Sequence, residues 1–407
     1  WDDRLKKVAT FASTDEYLLM NGCDHQPVQA DLGKAIEVAS ELYPDINFKH
    51  SNFPDYIKAI KEKVPNDLAV VKGELTSQDT DGWSTLINCA SSHIYLKQMN
   101  RKCESALENG AEPVRVLSSV LGQNYPSDEL EYSWKKLMQN HPHDSICCCS
   151  VDEVQDEMAT RFNKSKQVAD YLVSEGTRYI ADKINTKEYE KYKNALPFVV
   201  FNTTGRKRTS VVSVEIDVTR KSGWLKKCAY DLDEINVPNY KLIDSAGNSI
   251  PFKIEDLGVR FGYDLPKDKF RQPYMARRVR VTFEAENISA VGYKTYALVE
   301  GDAEKVTDTL VSGENCMEND AIRVEINKNG SLNVTDKASG RTYKGVAYYE
   351  ETGDLGNEYM YKMPEGSKAI TTQDTVAKIE LAEDEPYRAM YKITNTITVP
   401  KSGDDNF

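Results

Sequence analysis

The spacing of apolar positions changes character twice along the chain. Tyr17 to Met20 (YLLM) is a short apolar run ending in Asn21-Gly22, and it predicts a strand. Asp31 then opens a helical pattern carried by Ile36, Ala39 and Leu42, which Pro44 stops. Ile46 to Lys49 predicts a second short strand, followed by a helix that Asp55 would N-cap, with Ile57 and Ile60 on one face. Strand, loop and helix in alternation imply a parallel sheet wrapped by helices, open or closed into a barrel. Ligands of such sheets bind at the carboxyl ends of strands, where the Asn21 to Gln26 loop would lie.

From about Gly82 to Asn185 helical spacing dominates: Ile94, Leu96, Met99 and Cys103, then Trp134, Leu137 and Met138, then Val154, Met158 and Phe162. Breaks at Gly110, Pro113 and Pro126 predict three or more helices forming a bundle. After Pro197 the period becomes two, with Val212, Val214 and Ile216 alternating against Ser213 and Glu215, and Ile322, Val324 and Ile326 against Arg323 and Glu325. This predicts β-sandwich units separated near the stretch from Glu300 to Glu314.

A length of 407 residues fits two or three domains at roughly 100 to 200 residues each. The net charge of −12 argues against a nucleic-acid partner, which needs a basic surface to meet phosphates, and favours a neutral or small polar substrate. No run of 18 apolar residues occurs, so no membrane span is expected. Eight cysteines without small-domain spacing, three of them adjacent (Cys147, Cys148 and Cys149), point to a reducing, cytoplasmic setting. A start at Trp1 instead of Met, and an end at Phe407 just after a strand-like run, suggest a piece of a longer chain.

All five histidines precede residue 144, which places ionisable chemistry in the first two regions. Asn21-Gly22-Cys23-Asp24-His25-Gln26 packs an acid, an imidazole and two amides after a predicted strand. Partial shielding by protein can raise a carboxylate's pKa enough for general-acid work, and the same residues equally suit a plain turn. His141-Pro142-His143-Asp144-Ser145 offers imidazoles for zinc and a carboxylate to orient a ring or bind a hydroxyl, or else a simple capping loop. Two histidines fall short of the three or four protein ligands that zinc takes. Adjacent cysteines cannot close a tetrahedral site, so their side chains are expected to pack. Gly73-Glu74-Leu75 and the loop from Asp79 to Trp83 carry an aromatic suited to a sugar face or to anchoring the helices.

Taken together, Leu19-Met20-Asn21-Gly22-Cys23-Asp24-His25 and Asn140-His141-Pro142-His143-Asp144-Ser145-Ile146 resemble the α-mannosidases of glycoside hydrolase family 38, particularly the bacterial branch. The resemblance extends to Gly73-Glu74-Leu75, to Ala90 through Lys97, to Val199-Val200-Phe201-Asn202, and to Thr335-Asp336-Lys337 through Gly356-Asn357-Glu358-Tyr359. It implies a multi-domain architecture: the C-terminal part of an α/β (β/α)7-type barrel over residues 1–80, a three-helix bundle over 81–192, a first β-sandwich over 193–305 and the start of a second, larger one over 306–407. It also implies Asp24 as general acid/base, His143 as a ligand of zinc or another divalent cation, and Asp144 and Tyr359 as contacts to mannose hydroxyls. The family's mechanism is retaining, with a second aspartate as nucleophile. No His-x-Asp precedes Asp24, so the nucleophile and remaining metal ligands are expected outside this chain, which alone would be inactive. The implied partner is an α-mannoside oligosaccharide, with no nucleic acid and no membrane, and with homodimerisation left open. Two departures stand out: Cys148 occurs where the family more often has Gly, and His93 where Arg is usual. A non-catalytic carbohydrate-binding or scaffold protein is the alternative reading. A zinc amidase or peptidase lacks its His-Glu pair here.

Overall fold

The computed structural model describes residues 1–68, 70, 72, 87–235, 237–304, 307–357, 359 and 361–401. The Gly73-Glu74-Leu75 and Asp79 to Trp83 segments and Glu358 lie outside the described residues. The chain divides into two compact units, Trp1–Ile87 and Asn88–Phe407.

In the first unit the described elements are three helices, α1 (Asp2–Phe11), α2 (Leu32–Leu42) and α3 (Phe53–Lys61). Helix α2 starts after Asp31 and stops at Tyr43, one residue before Pro44, as its pattern predicts. The cap of α3 is Asn52 instead of the expected Asp55: the Asn52 side chain accepts the Asp55 N–H at 3.0 Å, leaving Asp55 inside the first turn, where a carboxylate favours the helix dipole. The two expected strands, Tyr17 to Met20 and Ile46 to Lys49, carry no ladder hydrogen bonds. A strand exists only with a neighbour, and the described residues of this unit supply none.

The second unit begins with helices. Helix α4 (Ile94–Ala106) runs through a π turn (Leu107–Ala111) into α5 (Glu112–Val120), so Gly110 and Pro113 do not break it as expected. Pro113 sits near the start of α5, and the π turn before it removes the clash a proline ring makes with the carbonyl four residues back. Helix α6 (Ser127–Met138) follows Pro126; then come the single turn α7 (His143–Ile146) and the 30-residue α8 (Asp152–Ala181). The long helices share a core of Leu96, Cys103, Leu107, Leu137, Met158 and Phe162, all essentially inaccessible. Gly176 lets α8 approach α5 closely, since a Cβ there would lie 2.6 Å from Val114 Cγ1.

Beyond Lys187 the chain is mostly sheet. Strands β1 (Leu196–Asn202), β2 (Arg208–Lys221), β3 (Tyr240–Asp244), β4 (Ser249–Ile250), β5 (Phe252–Asp264), β6 (Gln272–Ile288) and β7 (Gly292–Glu300) form two antiparallel sheets, ordered β1-β7-β3-β4 and β2-β6-β5. Helix α9 (Leu225–Asp233) packs on the second sheet. The register pairs Val214 with Val281 and Ile216 with Val279, so the alternation read in β2 does aim its apolar side chains at a core with Leu242, Phe283, Tyr296 and Leu298. The outer face of β3 and β7 is covered as well, by Tyr189 against Ile243, Ala297 and Val299. Ala297, Leu298 and Val299 are therefore all buried, a continuous run where one-sided burial would give alternation.

A five-stranded meander follows, made of β8 (Val311–Gly313), β9 (Cys316–Glu318), β10 (Ile322–Ile326), β11 (Leu332–Asp336) and β12 (Arg341–Val346). The short pair β13 (Glu350–Glu351) and β14 (Ile370–Thr371) precedes the hairpin β15 (Lys378–Glu385) and β16 (Arg388–Thr394). Tyr387 at the hairpin turn donates to the Thr282 carbonyl at 2.7 Å, and Glu383 lies 3.5 Å from Lys253, which fastens the hairpin to β5 and β6. No helix among the described residues is long and apolar enough to cross a membrane.

Candidate functional site

Asp24 stands in a turn in which the Gln26 N–H donates to the Cys23 carbonyl at 3.3 Å and His25 adopts a left-handed φ of 58°. Its Oδ1 accepts the His25 backbone N–H at 3.1 Å, and Oδ2 lies 3.5 Å from His25 Nε2. The Asp24 side chain is 91% exposed, so the shielding expected of a general acid is not supplied by the described residues: no described side chain is packed over the carboxylate to exclude water. The geometry is that of a plain turn with an available carboxylate.

His143 occupies the first position of α7, immediately after Pro142, whose missing N–H and fixed φ suit it to a helix start. Its imidazole is 90% exposed and its Nε2 lies 3.4 Å from Asp144 Oδ1, so the chain does bring these two predicted residues together. The turn is held from beneath. Asn140 is fully buried and donates through Nδ2 to the Met158 carbonyl at 3.1 Å, while His141 Nε2 meets Asn100 Oδ1 at 2.7 Å. Gln155, in the first turn of α8, donates to the carbonyls of Cys148 (3.2 Å) and Ser150 (3.0 Å), and Ser150 Oγ donates to the Asp144 carbonyl at 2.9 Å. Local spacing did not single out Asn140 or Gln155; a buried amide shows itself only once its burial is known.

The two departures from the family pattern have left-handed backbones. Cys148, where Gly is more usual, has φ 65°, and His93 has φ 44° at the start of α4. The Cys148 conformation is one that glycine reaches without steric cost. Its buried thiol is met by Lys97 Nζ at 3.1 Å, a contact not anticipated from sequence.

Tyr359 is half-buried in a turn where its N–H donates to Asn357 Oδ1 at 2.9 Å. Asp24 belongs to the first unit, and His143, Asp144 and Tyr359 to the second. Among the described residues no three His, Cys, Asp or Glu side chains converge as a metal site. His143 offers one exposed imidazole, short of the three or four protein ligands a zinc ion takes, so the described residues by themselves do not fit a complete zinc centre.

Residues 84–180 match the family model for the alpha mannosidase middle domain, and residues 193–300 that for the glycosyl hydrolases family 38 C-terminal domain 1. The chain is 42% identical over its full length to the “Putative mannosylglycerate hydrolase” of Halalkalibacterium halodurans, of which it spans 46%. Among solved structures it is similar to an alpha-mannosidase from Enterococcus faecalis V583, with 44% identity, a TM-score of 0.75, and coverage of 97% of this chain and 45% of that one. A second Enterococcus faecalis protein, of glycosyl hydrolase family 38, matches at 39% identity and a TM-score of 0.71 over the same shares. The chain thus spans less than half the length of the relatives it matches. The motifs around Asp24 and His143, the two matched domains and the full-length similarity agree that this chain belongs to glycoside hydrolase family 38.

Proposed function

We propose that this chain is the part of a retaining α-mannosidase that carries the general acid/base, Asp24, and one zinc ligand, His143, with the nucleophile and the other ligands contributed by sequence outside it. The observation that carries the reading is the 44% identity, over 97% of this chain, to an alpha-mannosidase of solved structure. In this assignment Asp24 protonates the departing glycosidic oxygen and then takes a proton from the water that attacks the glycosyl intermediate. Its carboxylate, exposed among the described residues, is ready to meet a leaving group. Asp144, 3.4 Å from His143, is assigned the role of accepting a hydrogen bond from a sugar hydroxyl, and Tyr359 a similar contact. Zinc, when bound, supplies Lewis-acid hold on sugar hydroxyls.

The purified 407-residue chain is expected to be inactive, and hydrolysis of any α-mannoside by it alone would overturn the assignment of missing groups. In the longer protein, His143→Ala should lower the zinc content; unchanged zinc would remove His143 from the ligand set. The domain limits follow the same reading: catalytic portion to residue 80, helical domain 81–192, first sandwich 193–305, second sandwich from 306. A second substrate reading has its own support. The Halalkalibacterium halodurans relative, matched over this whole chain, bears the name of a mannosylglycerate hydrolase. Both substrates present an α-mannosyl group to the same acid, and comparing kcat/KM on mannosylglycerate and on an α-linked mannobiose separates them. An intracellular bacterial location fits either substrate.

A further inference from the structure

In the second unit, the turn between β10 and β11 faces the segment leading from β14 to β15 across an open groove of about 350 Å³. Lys328, Asn329 and Ser331 line one wall, and Gln373, Asp374 and Thr375 the other. The two walls are tied to each other. Asn329 Nδ2 donates to the Gln373 carbonyl at 2.8 Å, while its Oδ1 accepts the N–H and the hydroxyl of buried Ser331 at 3.1 and 2.7 Å. The Ala377 N–H donates to the Lys328 carbonyl at 2.9 Å, and the Thr375 hydroxyl to the carbonyl of buried Thr372 at 2.9 Å. Gly330 has φ 83°, and a Cβ there would lie 2.7 Å from Ile393 Cγ2, so the turn sits directly on β16. The groove is therefore formed in advance, which spares a ligand the cost of ordering it.

We propose that this groove is a second saccharide-binding site, sharing no residue with the candidate catalytic set, and that it takes a neutral pyranoside, α-mannosides among them. Its volume stands at the lower end of the roughly 300–1,000 Å³ of small-molecule sites, the size for one or two sugar rings. Its chemistry selects the class of ligand. The lining holds no aromatic or aliphatic side chain, so an apolar ligand gains nothing there. One cation, Lys328, and one anion, Asp374, stand on opposite walls with no ion pair between them, so a ligand of either charge is attracted by one and repelled by the other. The side chains of Lys328, Gln373 and Asp374 have no hydrogen-bond or ion-pair partner among the described residues. They offer an ammonium donor, an amide that both donates and accepts, and a carboxylate acceptor. Vicinal sugar hydroxyls, each both donor and acceptor, answer all three without bringing a charge of their own. The site stands on this lining alone and does not depend on the roles given to Asp24 and His143.

The test is to titrate methyl α-mannopyranoside into the isotope-labelled chain and follow its amide signals by NMR. The side-chain amides of Asn329 and Gln373 and the backbone amides of Asp374 and Thr375 should move together along one saturating curve. Hydrogen bonds that replace water add little net, so the dissociation constant should be on the order of 1 mM. Gln373→Ala and Asp374→Ala, both at exposed positions, should each weaken binding several-fold and leave signals remote from the groove in place. Asp144→Ala should leave the curve unchanged, which separates this site from the candidate catalytic one. Groove signals that do not move, shifts that Asp144→Ala abolishes, or shifts indifferent to both groove variants would each overturn the proposal. So would glycine or inorganic phosphate moving the same amides at lower concentration than the mannoside.

Discussion

Gln155 offers a sharp test of how the His143 turn is held. Its side-chain amide is 4% exposed and donates to two carbonyls, those of Cys148 and Ser150. Those carbonyls belong to the turn whose amides close back on α7: the N–H groups of Cys147, Cys148 and Cys149 donate to the carbonyls of His143, Ser145 and Asp144. Replacing Gln155 with Leu keeps the volume and removes both donors. At about 1 kcal/mol per neutral hydrogen bond, the turn should lose about 2 kcal/mol of local stability. That is about 30-fold faster hydrogen exchange at the amides of Cys147, Cys148 and Cys149, at roughly tenfold per 1.4 kcal/mol.

Gln155→Glu places an acid against the same two carbonyl oxygens. Burial beside acceptors raises its folded pKa above the unfolded value of about 4.3, so the neutral acid is tolerated and the carboxylate is not. The penalty is therefore small below about pH 4, where the acid still donates one bond, and grows as pH rises through and beyond that value. At neutral pH the Glu variant should exchange faster than the Leu variant, and the order should reverse near pH 4. Exchange at these amides within twofold of wild type in the Leu variant would show that Gln155 does not hold the turn. A Glu variant whose excess exchange is independent of pH would show that its carboxyl does not face the carbonyls.

Three further outcomes follow from the packing and charge of the second unit. Gly176→Ala should lower the melting temperature: about 1–3 kcal/mol of overpacking against buried Val114 outweighs the roughly 1 kcal/mol that Ala gains over Gly in a helix, and Val114→Ala on the same chain should restore part of the loss. A higher melting temperature would mean that the two helices have room. The Arg388 hydrogen bond, with Lys253 nearby, holds the Glu383 carboxyl below the usual range. A depressed folded pKa gives stability that is full above the unfolded value and lost as pH falls through the folded one, so Glu383→Gln should weaken the β15–β16 hairpin at neutral pH and match wild type in acid, as read by hairpin amide exchange. Tyr387→Phe should speed exchange in that hairpin several-fold by removing the bond to the Thr282 carbonyl, without altering the α8 amides.

How far the sequence spoke depended on whether the structural cause was local. Period two in β2 announced its inward face because only one face of that strand is covered by the core, whereas β7 hid its Ala297 to Val299 run under two covers, one of them formed by Tyr189 from far earlier in the chain. Helix α4 passes Gly110 and Pro113 because a π turn absorbs the proline, a backbone solution that residue identities do not display. The YLLM run reads as a strand from its composition, but strand formation depends on a neighbour, and none is present among the described residues of its unit. The candidate site divides in the same way. His143 and Asp144 are neighbours in sequence and in space. The supports Asn140 and Gln155, and the contact from Lys97 to Cys148, depend on the packing of helices far apart in the chain.

The central claim, that Asp24 is the proton donor of an α-mannoside hydrolase, is tested most directly by leaving-group dependence in the longer protein, with and without Asp24→Ala. The variant should lose about 10²- to 10⁴-fold in kcat/KM on an unactivated α-linked mannobiose, where the departing oxygen needs a proton. On a dinitrophenyl α-mannoside, whose leaving group departs without one, the loss should be far smaller. Equal losses on the two substrates would contradict the assignment of Asp24, and a wild-type protein inactive on both would contradict the mannosidase reading itself.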